Sequence, residues 1–165
     1  MTFVKQFFIF SSNNCNMKSL FDQSSYDEIF NRINNLSATS QGQWGKMNVS
    51  QMLAHLKEGF RVPLSDEKMP RMFMGRMLAW MMKSKMYNDS PWKKNLPTAP
   101  NFLIRDERDF DDEKSQLTEL IYEFNKRGWG HVGKYPHPFF GAFTQDQWGK
   151  MMYKHLDHHF TQFGV

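Results

Sequence analysis

The sequence predicts an all-α fold: a four-helix bundle with an additional helix inserted in the long connection between the second and third bundle helices. Four segments of the 165-residue chain carry apolar residues at the spacing of an amphipathic helix, together with residues that favour helix starts and stops. No run shows the period-two alternation of a half-buried strand. Four such helices bury their apolar faces most simply by packing together as one bundle, which we place at residues 17–165.

The first two bundle helices are predicted in the N-terminal half of the chain. The first runs from about Ser24 to Leu36, and its apolar positions recur at helical spacing. The second starts near Asn48, whose side chain can cap it, and continues to about Arg61, because Pro63 is expected to stop it. Its apolar stripe contains Val49, Met52, Leu53, Leu56 and Phe60.

The inserted helix is predicted over Pro70–Met86, with the proline in the first turn, and an irregular connection follows over Asn88–Asn101. Three roles are open for this helix: covering the end of the bundle, forming a dimer contact, or resting on a membrane surface. Its interspersed charges and Gly75 favour core or dimer packing. Its apolar face consists of Met74, Met77, Leu78, Met81 and Met82.

The last two bundle helices have clear terminal signals. Acidic residues open the segment Phe110–Lys126, basic residues close it, and Gly128 ends it, as the helix dipole favours. The final helix starts at a capping box formed by Thr144 and Gln147, and Gly164 is its natural stop.

Residues 1–16 differ in composition from the rest and are expected to be an N-terminal extension or a mis-called start. A weak export signal and an ordered arm remain alternatives, although the apolar run is too short to span a bilayer. The single cysteine, Cys15, is typical of a reducing compartment, so we expect a cytoplasmic protein. A formal charge of +4 is too small an excess to indicate nucleic-acid binding, and no stable membrane insertion is expected.

The final helix carries the most informative pattern. His155 and His159 are four residues apart, so both imidazoles project from one face of the helix. Stepping 100° per residue places both in a mainly apolar stripe whose other members are Trp148, Met151, Met152 and Phe163. Burying the ring nitrogens would cost free energy unless each has a binding partner, and one metal ion could bind a nitrogen of both rings.

A third ligand is available in His55, the one histidine on a predicted bundle helix other than the last. It flanks the apolar stripe beside Met52, where a side chain faces a cleft between helices. A lone flanking histidine is more often a surface or core residue, but the pair on the last helix strengthens the metal hypothesis. The pentapeptides at 43–47 and 147–151 are identical, and His55 and His159 each follow the tryptophan of their own copy by eleven residues. Because a match of five residues is short, coincidence is the favoured explanation.

The stretches 44–56 and 137–164 resemble the DinB/YfiT-like superfamily, and especially one uncharacterised branch of it. The resemblance implies a metal-binding four-helix bundle related to thiol-dependent transferases. It makes His55, His155 and His159 the metal triad. The adjacent His158 leaves the choice between the last two histidines slightly open, and the stripe favours His159.

The expected activity is that of a metal-dependent thiol transferase or hydrolase acting on a small molecule. The expected cofactors are a divalent ion (zinc, nickel or iron) and a low-molecular-weight thiol, because three neutral imidazoles leave open positions on the ion. Candidates for positioning or acid–base work around the triad are Glu58, Asp157, His158 and His137, although a solvated helix face is the favoured explanation for the two acids. The alternative is a non-catalytic metal- or ligand-binding bundle with a vestigial site, and a homodimer is compatible with either function.

Overall fold

The computed structural model describes residues 17–71, 73–98 and 100–165, without the side chains of residues 73–78 and 101. Within these ranges the chain forms five α-helices, one short 3-10 helix over Pro100–Phe102, and no β-strand. The all-α prediction is therefore confirmed, whereas the expected extension 1–16 lies outside the described residues. The α-helices are α1 Gln23–Asn34, α2 Val49–Leu64, α3 Phe73–Tyr87, α4 Phe110–Arg127 and α5 Gln145–Gln162.

The helix starts follow from local side-chain chemistry. Asn48 accepts a hydrogen bond from the backbone N–H of Gln51 at 2.9 Å, and the Gln51 side chain accepts one from the Asn48 N–H, which completes a capping box on α2. Thr144 and Gln147 form the same reciprocal arrangement at the start of α5. Both bonds satisfy backbone donors that the first turn of a helix leaves unpaired.

The prediction that Pro63 ends the second helix was wrong, because α2 continues through it to Leu64. Proline in the last turn removes only one helical hydrogen bond, and the surroundings compensate for the disturbed end. The carbonyl of Pro63 accepts from the Gly133 N–H at 2.7 Å, and Arg127 donates to the carbonyl of Leu64 at 3.0 Å. The inserted helix begins at Phe73, three residues after the predicted Pro70 start.

The helices pack so that α2 and α5 face each other. Helix α2 contacts α4 and α5, α1 contacts the same two helices, and α3 packs on α5. Each large apolar side chain buried in this core contributes roughly 1.5–3 kcal/mol relative to its exposed state. The core includes Ile29, Ile33, Met52, Leu56, Phe60, Leu117, Ile121, Phe124, Trp148, Leu156 and Phe160.

The C-terminal end of α3 is fixed to α5 by Lys154. Its ammonium group donates to the carbonyls of Lys85 and Asn88 and to the Asn88 side chain, at 2.7–2.8 Å. A cation at this end of a helix complements the helix dipole. The contact places the connection that follows α3 beside the central part of α5. Among the described residues, no helix has the length and apolar character needed to cross a membrane.

Candidate metal centre

Three histidines from two helices converge at the interface of α2 and α5. His55 comes from α2, while His155 and His159 come from successive turns of α5. One ring nitrogen of each can be chosen so that the three nitrogens lie within 4.8 Å of one another. The Nε2 atoms of His55 and His155 are 3.0 Å apart. The structure thus brings together the three residues that the sequence pattern singles out.

The ring of His55 is oriented by the chain segment that follows α3. Its Nδ1 lies 3.0 Å from the carbonyl oxygen of Phe102, in the 3-10 helix. A carbonyl only accepts hydrogen bonds, so Nδ1 carries the proton and donates. The lone pair of His55 is then on Nε2, the atom that faces His155.

The ring of His159 is oriented from its own helix. Its Nδ1 lies 2.8 Å from the side-chain oxygen of Gln162, while the Gln162 amide nitrogen donates to the carbonyl of Trp44 at 2.6 Å. The amide oxygen can only accept, so Nδ1 donates here too. These two contacts connect the ring of His159 to the loop before α2.

His155 is packed differently from its two neighbours. It is the one member of the triad that is partly exposed, whereas His55 and His159 are buried. Gly59 on α2 leaves room for it, because a Cβ atom at that position would lie 2.9 Å from Nδ1 of His155. The indole of Trp92 lies on another side, with its ring centre 5.6 Å from that of His155.

Burial keeps the three imidazoles neutral. It lowers the pKa of His159 to about 3 and the pKa of His55 below its ordinary value. The pKa of His155 is held well below the ordinary value, mainly by burial and then by the neighbouring histidines. A neutral imidazole is the form that binds a metal, so the site is prepared for a cation near neutral pH.

The donor set fits a divalent ion. Two nitrogens bound at 2.0–2.1 Å to a tetrahedral zinc are about 3.3 Å apart, and the 3.0 Å separation in the His55–His155 pair needs little adjustment. Three protein ligands leave a fourth position open to solvent or a small molecule. The outward nitrogens of two of the rings donate to fixed oxygens, as metal-binding histidines usually do.

Two tryptophans and His158 border the triad on its exposed side. The His158 ring centre lies 5.9 Å from Trp44 and 5.7 Å from Trp92, and burial lowers the pKa of its ring. It is 5.1 Å from the ring of His159, but its nitrogens are not among the three that converge. The convergent donor set therefore contains His159, the residue favoured by the helical stripe.

The two acidic residues proposed to assist the triad each form an ion pair with an arginine. Glu58 is one turn from His55 on α2 and pairs with Arg61 at 2.9 Å. Asp157 projects away from the triad and pairs with Arg32 of α1 at 2.7 Å. Two residues along a helix is a rotation of about 200°, which explains why Asp157 and His155 face opposite sides.

His137 is buried in the loop before α5 rather than beside the triad. Its Nδ1 accepts hydrogen bonds from the backbone N–H groups of Phe139 and Phe140, at 3.0 and 3.2 Å. Its ring lies 5.9 Å from Trp148, which precedes His155 by two turns, or about 10 Å along the helix. The structure gives it the role of stabilising a turn.

Four residues that contact the triad were not identified from the sequence. Gln162 could have been found, since it follows His159 by three residues and shares its helix face. Phe102 contacts His55 through its main-chain carbonyl and its ring, and Trp92 and Gly59 act by position and size. No residue pattern identifies such contributions before the fold is known.

The comparisons with known proteins identify a family. The chain belongs to the family described as "Protein of unknown function (DUF1569)", whose profile matches residues 16–164. No curated protein and no solved structure matches the chain.

Proposed function

We propose that this member of a family of unknown function is a metal-dependent enzyme, a thiol-dependent transferase or hydrolase that acts on a small molecule. One observation carries the proposal: His55, His155 and His159 bring three ring nitrogens within 4.8 Å of one another. Burying three imidazoles side by side is costly unless their nitrogens find partners, and one shared cation would bind one nitrogen of each ring.

The proposal includes membership of the DinB/YfiT-like superfamily. In this interpretation α1, α2, α4 and α5 are the four bundle helices, and α3 is the helix inserted between the second and third of them. The pairwise contacts among these helices and the position of the histidines on the second and last bundle helices support it. Metal sites built from facing helices are usual in such bundles.

The chain's own residues would bind and orient the ion through neutral imidazoles. His55 and His159 would be held by Phe102 and Gln162, while His155 would occupy the more exposed side. A divalent ion such as zinc, nickel or iron would lower the pKa of a bound water or thiol and so supply a nucleophile at neutral pH. Trp44 and Trp92 would restrict the access of water from the exposed side.

We further propose a cytoplasmic location and a homodimer. The cytoplasmic location rests on the single cysteine in the sequence. The dimer is supported by Trp80 and Met81, two neighbouring large apolar side chains on α3 that are 79% and 56% exposed and that a second copy of the chain could cover. Light scattering on the wild type and on Trp80→Ser tests it, since the variant should dissociate if this face is the contact.

The experiment for the enzymatic proposal has two stages. The metal content of untagged protein is measured first, with His159→Ala as the negative control. The protein is then supplied with low-molecular-weight thiols and a panel of electrophilic small molecules, and conjugates are detected by mass spectrometry. Thiol conjugation that requires both the metal and His159 would support the transferase. Metal binding without any thiol- or water-dependent turnover would favour the non-catalytic alternative.

A further inference from the structure

Gln162 is a buried amide that connects a loop backbone to the candidate metal centre. The residue is 3% exposed at the end of α5. Its side-chain nitrogen donates to the carbonyl of Trp44 at 2.6 Å, and its side-chain oxygen lies 2.8 Å from Nδ1 of His159. Its own carbonyl accepts from the N–H of Gln43 at 2.8 Å. Besides the hydrogen bonding within helix α5, Gln162 is thus joined to the loop before α2 by two hydrogen bonds and to His159 by one.

Chemistry fixes the direction of every bond in this chain. The Trp44 carbonyl has no proton to donate, so the amide nitrogen of Gln162 must face it. The amide oxygen then faces His159 and can only accept, so the proton of that imidazole must be on Nδ1. A main-chain carbonyl more than 100 residues away therefore determines which ring nitrogen keeps its lone pair.

The loop is built closely around the amide. Gly45 has φ = +84°, a conformation that other residues rarely adopt, and a Cβ atom there would lie 2.5 Å from the Gln162 nitrogen. Glycine allows this close approach, and the hydrogen bonds to Trp44 and His159 at the two ends of the amide limit its rotation. The side chain that orients His159 is itself fixed by its surroundings.

We propose that Gln162 is the positioning residue that selects the Nδ1-protonated tautomer of His159 and thereby leaves its Nε2 free for a ligand. The consequence for metal affinity rests on the proposed function, whereas the tautomer does not. A glutamine that only fills space would leave the tautomer to the ordinary equilibrium of an imidazole.

The direct test measures the tautomer in the full-length, metal-free protein. The histidines are labelled with ¹⁵N and observed by NMR at pH 7.5. Long-range couplings between the carbon-bound ring protons and the ring nitrogens distinguish the two tautomers. We expect His159 in the wild type to carry its proton on Nδ1. In Gln162→Met, which has a similar length and no comparable acceptor, the Nε2-protonated form should become substantial. Protonation of Nε2 in the wild type, or an unchanged tautomer in the variant, would overturn the proposal.

A second measurement uses zinc alone as the probe, in competition with a chromophoric chelator. Loss of such an outer partner typically weakens metal binding by roughly 10–100-fold, so Gln162→Met should lose affinity by that factor. Gln162→Glu should restore most of it, because a protonated carboxyl group can donate to the Trp44 carbonyl with one oxygen and accept from Nδ1 with the other. Equal affinity in wild type and Gln162→Met would contradict the positioning role.

The matched control is Gln145→Met. Gln145 also lies on α5 and donates to a loop carbonyl, that of Val132 at 2.7 Å, but it is ten residues before His155. The control should keep the wild-type zinc affinity. If the wild type binds no zinc, the proposed function fails, but the NMR measurement of the His159 tautomer still tests the role of Gln162. If Gln162→Met does not fold, the wild-type spectrum alone is the test, and a proton on Nε2 of His159 would overturn the proposed role.

Discussion

The Nε2 atoms of His55 and His155 lie 3.0 Å apart, and only one of them can supply a proton to the contact. His55 already donates from Nδ1 to the carbonyl of Phe102, so a neutral His55 has its lone pair on Nε2. In metal-free protein His155 must then be the donor. An ion that binds both Nε2 atoms displaces this proton, so metal uptake changes the protonated nitrogen of His155 or releases the proton.

The first prediction concerns the three ligands. Replacing His55, His155 or His159 by Ala should abolish zinc binding at micromolar concentrations, because two imidazoles form a much weaker site than three. His158→Ala should retain most of the affinity, since its nitrogens do not converge with the others. Calorimetric titration of each variant with zinc provides the measurement. If His158→Ala loses more zinc affinity than His159→Ala, then His158 is the ligand and the assignment of His159 is wrong.

The second prediction separates ligand geometry from stability at Gly59. A Cβ atom at this helical position would lie 2.9 Å from Nδ1 and 3.0 Å from Cε1 of His155, so Gly59→Ala should displace the ring. We expect zinc affinity to fall by roughly 10–100-fold, as for other disturbances of a ligand's surroundings. Alanine favours a helix over glycine by about 1 kcal/mol, so the metal-free melting temperature should not fall much.

Zinc titration and thermal melting of the same Gly59→Ala preparation check both parts of this prediction. Unchanged affinity would mean that the His155 ring moves away without cost and that Gly59 is not required for the site. A large loss of metal-free stability would instead show that the position is constrained by core packing.

Most of the fold could be predicted because its signals are local. The side-chain cap at Asn48, the capping box at Thr144 and the helix-ending Gly128 are read from neighbouring residues and occur as expected. The passage of α2 through Pro63 could not be predicted, because it depends on Gly133 and Arg127, which approach from a distant loop and helix. Long-range compensation of this kind has no signature in the local sequence.

For the candidate site too, features that depend on local sequence could be predicted, and contacts from distant segments could not. Helical periodicity alone could place His155 and His159 on one face and favour His159 over His158. The carbonyl of Phe102 could not be found, since any residue supplies a carbonyl and only the path of the chain brings this one to His55. The pairing of Asp157 with Arg32 likewise depends on how α1 packs against α5.

The third prediction concerns the N-terminal boundary. Leu20 is fully buried, its N–H donates to the carbonyl of Gly149 at 3.0 Å, and its carbonyl accepts from Asn125 at 3.1 Å. A chain that begins at Met17 retains these contacts and should melt at the temperature of the full-length protein. A chain that begins at Gln23 loses them and should be less stable by about 2–5 kcal/mol, as for removal of a buried leucine.

Chemical denaturation of the three chain lengths measures both differences. The chain beginning at Gln23 is the matched control, because it shows that the measurement detects loss of a packed segment. A large loss of stability on removing residues 1–16 alone would show that this segment packs on the domain and is not dispensable.

The fourth prediction concerns stability in acid and rests on His137. Burial lowers the pKa of this ring to about 4, and its Nδ1 accepts hydrogen bonds from the N–H groups of Phe139 and Phe140, which protonation would break. An unfolded histidine has a pKa of about 6.5. Between these two values the unfolded chain binds the additional proton, so the free energy of unfolding falls as pH is lowered from about 6.5 to about 4.

The slope from one such group is about 1 kcal/mol per pH unit. His137→Asn retains a side-chain acceptor for the turn but cannot be protonated in this range, so its stability should depend less on pH. Urea unfolding at pH 4.5–7 with a chelator present compares it with the wild type and with His131→Asn, a control at an exposed position. The triad histidines contribute equally to all three proteins, so the difference in slope isolates His137. Equal slopes in His137→Asn and the wild type would mean that this ring gains its proton without breaking the turn.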